Sequence, residues 1–364
     1  MSPISSFTRS QQTEAHGEIE DFDVTTYPDY VASDRPPDVY KLQNISFLDE
    51  YESVWGQKWG CAGIGKLRKV ALVRPSEHEI NELFVSHPTF FLLRYQAQVD
   101  VEQMIASHEA YADLLTENGV EIEWMEFKNV WGAHGPMRKL FVCEEVRVMP
   151  GGAIIPRFGH ASYKRGLERE FQGFLAEIGC PILLSVTGTG ICEVAPMFVA
   201  MAENAWIGGR SCAANQDGLD QVLPVMARAG AKDIHIMNLG TIMDSFDSGG
   251  EFHVDMVVAP VDRKVAVVYP AALDWDTYVW LRDRDFKLIE IPREEQRFAP
   301  ANLILLEPGK VIMTSHAPRT IKAVEAAGVE VIPFDSHGIM QGGTNGIKCI
   351  TMELLRDPGP GLDD

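Results

Sequence analysis

No apolar run in this sequence approaches the roughly 20 residues that a membrane-spanning helix requires. The N-terminal stretch, MSPISSFTRSQQTEAHGEIEDFD, is polar and acidic, with no segment of signal-peptide type. A soluble cytoplasmic protein is therefore expected. Cations are scarce: 32 Lys and Arg stand against 52 Asp and Glu, a net charge of −20. Such a surface repels phosphate backbones and anionic lipid, so neither nucleic acid nor membrane is an expected partner, while a small cationic substrate is compatible. The six cysteines (Cys61, Cys143, Cys180, Cys192, Cys212 and Cys349) contain no C-x-x-C pair. That argues against structural zinc and thioredoxin-type chemistry, and most of these thiols read as small core hydrophobes. Nucleotide-binding readings have no foothold either, because no G-x-G-x-x-G follows a first strand and no G-x-x-x-x-G-K-[ST] occurs.

What is present begins with size. At 364 residues and 46% hydrophobic content, the chain can bury a substantial core. The first 60 or so residues, rich in Asp, Pro and Tyr, read as an N-terminal extension over 1–60, packed on the surface or on a neighbouring subunit as a homo-oligomer contact. A single domain is expected over 61–358, with a tail at 359–364. Within the domain one pattern recurs five times: a helix-like segment ends in a small or polar residue and runs directly into a strand. The junctions are Gly119, Gly179, Gly230, Asp285 and Gly328. Glycine is the residue expected there, since it takes the left-handed helix cap without steric cost. Each copy follows a short apolar strand, as in RKVALV (68–73) and GKVIMT (309–314). The class is α/β; periodicity alone leaves open a ring of five strand–helix–strand modules or an ordinary α/β sandwich.

Two sites carry chemistry. In Phe252-His253-Val254-Asp255, side chains two apart on a strand would face one pocket together. Near the C-terminus, Gly342-Gly343-Thr-Asn-Gly346-Ile-Lys348-Cys349 delivers a cysteine at the end of a glycine-rich loop. On the residues alone the bland readings stay open, since a lone strand His is more often a hydrogen-bonded core residue. Asp255 weighs against this, because a second buried polar group on an apolar strand is costly unless partnered.

These segments, together with GKLRKVALVRP (65–75) and SHEAYADLLTENGVEIE (107–123), resemble the guanidino-group-modifying enzymes of the pentein superfamily: arginine deiminase, dimethylargininase and the amidinotransferases. The resemblance runs from about Gly63 to Leu355. It implies a five-bladed pseudo-symmetric α/β propeller of ββαβ-type modules, a covalent thiouronium mechanism and no cofactor or metal. By the same resemblance Cys349 matches the nucleophile, His253 the general acid–base, Glu193 the acid that holds it, and Asp255 a guanidinium-binding carboxylate. A further guanidinium-binding acid falls on Glu144, with Glu145 beside it. Asn302 reads as a turn-supporting amide.

The departures bear on substrate. The family's Glu-Gly-Gly-Asp reads Glu193-Val-Ala-Pro196, and its Arg-Thr-Asn reads Cys212-Ala213-Ala214-Asn215. The substrate-carboxylate arginine is thus missing, although Arg210 lies close by and Lys164 or Arg165 stands near a second family arginine. A guanidino compound other than plain arginine is implied. Hydrolysis is the leading outcome, with amidino transfer to an amine as the alternative and a non-catalytic cation binder as another. Lys348, beside the thiol, would favour the thiolate.

Overall fold

The computed structural model describes residues 59–75, 100–126, 145–159, 166–240, 253–340 and 346–364. Residues 1–58, nearly all of the expected N-terminal arm and its oligomer contact, lie outside them.

The described strands form five sheets of three. The first holds β1 (Leu67–Leu72), helix α1 (Val101–Glu117) and β2 (Glu121–Trp124). The second is β3 (Arg147–Met149), β4 (Gly152–Ile155), α2 (Leu167–Glu177) and β5 (Ile182–Ser185). The third opens with a short helix α3 (Val194–Met197), then β6 (Phe198–Ala202), β7 (Ala205–Arg210), α4 (Gln216–Arg228) and β8 (Asp233–Asn238). The fourth is β9 (Val258–Asp262), β10 (Val265–Val268), α5 (Trp275–Asp283) and β11 (Lys287–Glu290). The fifth has α6 (Arg293–Gln296), β12 (Ile304–Glu307), β13 (Lys310–Thr314), α7 (Pro318–Glu325) and β14 (Glu330–Phe334). The final strand, β15 (Met352–Arg356), pairs with β1 and completes the first sheet.

Every module repeats one wiring. An antiparallel pair precedes a helix that crosses over to a third strand parallel to the middle one, and in the first module β15 supplies the antiparallel partner from the end of the chain. The middle strand is covered on both faces and reads as a nearly continuous apolar run, as in Gly152–Ile155. Three of the crossover helices start on a side-chain cap: Asp100, Asn215 and Asp274 accept from the backbone N–H groups of Gln103, Gly218 and Thr277. All five junction residues foreseen from sequence have positive φ, from 61° at Asp285 to 104° at Gly230. Asp285 shows that a short polar side chain tolerates the left-handed cap where glycine is absent.

The first strands of the modules abut one another, β15 against β3, β6 against β9 and β9 against β12. The apolar clusters extend across neighbouring modules. One runs from the β6–β8 sheet to Val258, Ala266 and Leu281. Another joins Leu67, Val70 and Tyr111 to Ile304, Ile347 and Cys349. No helix among the described residues is long and apolar enough to cross a membrane.

Candidate functional site

The geometry is set by what precedes the first strand of each module. Glu145 sits two residues before β3, and Glu193 caps the helix α3 that leads into β6. His253 and Asp255 lie just ahead of β9, Asn302 two residues before β12, and Cys349 three before β15. All six are buried, with Glu145, Glu193 and Asp255 at 0% exposure. Three buried carboxyls collected at one structural position are costly to fold around, which is the usual mark of a functional site rather than of a core.

His253-Val-Asp255 is not on a strand, contrary to the sequence reading. His253 is extended at φ −110°, and a single 3-10 turn, Val254–Met256, follows before β9 begins at Val258. The turn packs so tightly on β7 that a Cβ at Gly209 would fall 2.5 Å from Val254. The pairing of the two polar side chains therefore comes from a turn at the strand entrance and not from the period of the pleat. Cys349 sits on a matching 3-10 turn, Ile347–Ile350.

Two hydrogen-bond chains organise the cluster. His253 Nε2 lies 2.9 Å from Glu193 Oε2. Asn302 Nδ2 donates to Asp255 Oδ2 at 3.0 Å, while Asn302 Oδ1 accepts from the backbone N–H of Lys348 (3.0 Å) and of Cys349 (3.2 Å). One amide thus ties a carboxylate of the fourth module to the turn that carries the thiol. Gly346 is required by the same contact, since a Cβ there would fall 2.3 Å from Asn302 Oδ1. Asp255 Oδ1 has no hydrogen-bond partner among the described residues.

Electrostatics act on His253. Burial pushes its pKa down, but the hydrogen bond and charge of Glu193, with the charges of Glu145 and Asp255, outweigh burial and raise it above the ordinary histidine value. The imidazole is thereby held towards its protonated form, with Nε2 committed to Glu193. The pKa values of the neighbouring thiols Cys192 and Cys212 are raised as well, first by burial and then by the charge of Glu193, which holds them neutral.

Other sequence candidates fall differently. Glu144, Lys164, Arg165, Gly342 and Gly343 lie outside the described residues. Arg210 ends β7, exposed, with its guanidinium on Asn238 Oδ1 (2.8 Å) and Gln216 Oε1 (3.4 Å). Asn215, in the segment where deiminases carry an arginine, caps α4. Lys348 lines a pocket with Glu353, whose carboxyl feels its charge. Asn302 was the residue whose place in the cluster sequence reasoning missed, and its offset before β12, equal to that of Glu145 before β3, is the signal that could have found it. No cluster of three or more His, Cys, Asp or Glu able to hold a metal occurs among the described residues.

A strand-entrance cluster of cysteine, histidine and acids on five repeated modules is the arrangement that the pentein resemblance implied. The arginine deiminase family model matches residues 255–356. The 2-nitroimidazole nitrohydrolase of Mycobacterium sp. (strain JS330) is 30% identical over 332 residues, covering 86% of each chain. This chain belongs to the family of that nitrohydrolase and, with it, to the C–N hydrolases of the pentein superfamily. Solved structures agree on the fold. The dimethylarginine dimethylaminohydrolase from Pseudomonas aeruginosa in complex with citrulline has a TM-score of 0.60 at 21% identity, covering 79% of this chain and 99% of that one. The amidinotransferase SxtG from Microseira wollei has a TM-score of 0.58 at 15% identity, covering 82% and 97%.

Proposed function

We propose that this chain is a cysteine-dependent hydrolase that breaks a C–N bond at a carbon bearing further nitrogens, a guanidino-type centre, at the axis of a five-bladed propeller. Cys349 is the nucleophile, His253 the acid–base group and Glu193 the acid that orients it. Asp255 and Glu145, with Glu144 beside it, grip the N–H edges of the planar cation by charge-assisted hydrogen bonds. The observation that carries this reading is the Asp255–Asn302–Cys349 chain, which links a guanidinium-binding carboxylate to the nucleophile's own turn.

In the first stage the thiolate adds to the central carbon, and protonated His253 gives its proton to the departing amine as the C–N bond breaks. The carbon remains bonded to sulfur as a thiouronium. In the second stage water attacks that carbon, His253 takes the water's proton, and the C–S bond breaks to regenerate the thiolate. The product is a ureido compound, or urea if the leaving group was the alkylamine. Arg210, at the rim, is the group available for the far end of the substrate. The absence of an arginine in Cys212-Ala213-Ala214-Asn215 supports a substrate without an arginine-like head.

A second reading is favoured by the 30% identical relative. Carbon 2 of a 2-nitroimidazole also sits between two nitrogens, and attack by Cys349 would expel nitrite with its bonding electron pair. Hydrolysis of the S-linked ring would then give the imidazolone. The two readings differ in what the acids meet: a guanidinium presents donors on every edge, whereas an imidazole presents one donor and one acceptor.

The test is a panel of guanidino compounds and 2-nitroimidazole, assayed for ammonia, amine, urea and nitrite, with Cys349→Ala as control. Full turnover by Cys349→Ala would refute the covalent mechanism. Nitrite release without turnover of any guanidino compound selects the second reading. Release that requires an added amine selects amidino transfer.

A further inference from the structure

Downstream of the candidate site, the first strands of all five modules enclose a second pocket, closed on one side by Cys61. Its charged lining is Arg147, Lys348, Glu353 and Arg356. Glu353 is shared by both arginines, at 2.7 Å from Arg356 Nη2 and 3.6 Å from Arg147 Nη1. Backbone carbonyls take up most of the remaining guanidinium donors: Ala195 and Phe198 for Arg147, Gly65 and Leu305 for Arg356. Arg147 Nε is buried and meets no acceptor among the described residues, and Lys348 Nζ has no carboxylate at ion-pair distance among them. Three cations therefore face one anion.

The single carboxylate is already spent on two arginines. Burial would raise its pKa, but Arg356, Lys348 and Arg147 hold it down to about 2. Cys61 supplies no counter-charge, since burial and the charge of Glu353 push its thiol up to about 12. An excess of two positive charges in a half-enclosed pocket is expensive unless something anionic shares it. We propose that this pocket binds one small monovalent anion, of the chloride or nitrite class, on Arg147 Nε and Lys348. Because Lys348 precedes Cys349, the anion would also steady the Ile347–Ile350 turn from below.

The test needs no substrate and is independent of the reaction proposed above. Chloride-35 NMR line broadening and thermal melting are followed against chloride, with ionic strength held constant by gluconate. The expected result is saturable broadening and a melting temperature higher by roughly 4 °C at a hundredfold excess over Kd. Lys348→Met should weaken the affinity at least tenfold. Glu353→Gln, which removes the competing carboxylate, should tighten it at least tenfold; if that variant does not fold, Lys348→Met alone decides. No saturable chloride effect, or one left unchanged by Lys348→Met, would overturn the proposal.

Discussion

Replacing Asn302 by aspartate keeps the shape of the side chain and inverts one of its three contacts. The remaining carboxylate oxygen still accepts from the backbone N–H groups of Lys348 and Cys349. The amide donor, however, becomes an oxygen facing Asp255 Oδ2 at 3.0 Å. Two full charges at that separation repel by about 5 kcal/mol at an effective dielectric of 20. Both groups are nearly inaccessible, so one carboxyl of the pair is expected to keep a proton well above the ordinary carboxylate range, as in paired-acid sites. The sign follows from linkage: a carboxyl whose folded pKa is raised stabilises fully below its unfolded value of about 4 and loses that contribution as pH rises through the folded value. Asn302→Asp should therefore match the wild type near pH 4 to 5 and fall behind it by roughly 3–5 kcal/mol by pH 8. Asn302→Ala, which deletes three hydrogen bonds, should lose about 3 kcal/mol at every pH. Urea unfolding at pH 5 and pH 8 reads both. If Asn302→Asp keeps the same deficit at both pH values, the amide does not couple Asp255 to the cysteine turn in the way the geometry indicates.

Glu193→Gln removes the strongest influence raising His253. The basic limb of the pH–rate profile should move to lower pH and kcat should drop about tenfold to a hundredfold; an unmoved limb would disconnect this pair from proton transfer. The same pair contributes stability that is complete below about pH 6.5 and is lost as pH rises through the raised folded pKa, so the variant's stability should be flatter above that pH. Arg356→Met strands Glu353 and should cost about 3–5 kcal/mol in denaturant unfolding, whereas a loss under 1 kcal/mol would mean that Arg147 alone satisfies it. Arg210→Ala should raise KM at least tenfold for carboxylate-bearing substrates and change it less than threefold for the rest; equal changes would remove Arg210 from substrate binding.

Much of this architecture could be read in advance because it repeats. A helix that ends in Gly119, Gly179, Gly230, Asp285 or Gly328 declares the crossover into a parallel strand, since few residues tolerate the left-handed cap. The antiparallel partner that opens each module gives no such mark. β3 has only three residues, and the strand entrances are short turns whose conformation comes from tertiary packing. That is why the His253–Asp255 turn reads as a strand in the sequence. Asn302 stayed hidden for a related reason: a neutral amide in APANLILLEPG has no chemistry that singles it out, and its three partners come from segments 46 and 47 residues away.

The repetition also explains how the site can be selective without a metal cluster among the described residues. Five equivalent strand entrances supply Glu145, Glu193, the His253–Asp255 pair, Asn302 and Cys349, so acids, base, amide and thiol approach one another from separate rigid modules. Each can change without disturbing the others' backbones. Immediately downstream the sign of the charge reverses, with Arg147, Lys348 and Arg356 around a single Glu353. Under the proposed mechanism, a cationic carbon centre held on the acidic side, with the thiol at the boundary, would meet a field that favours both halves of the reaction. The acids would stabilise the substrate cation, and the cations behind the Ile347–Ile350 turn would favour negative charge on sulfur. An anion in the lower pocket would weaken that second influence. Nucleophile reactivity, read as the rate of Cys349 alkylation, should accordingly fall as chloride fills the pocket and be insensitive to chloride in Lys348→Met. A rate indifferent to chloride in the wild type would show that the two ends of the axis act independently.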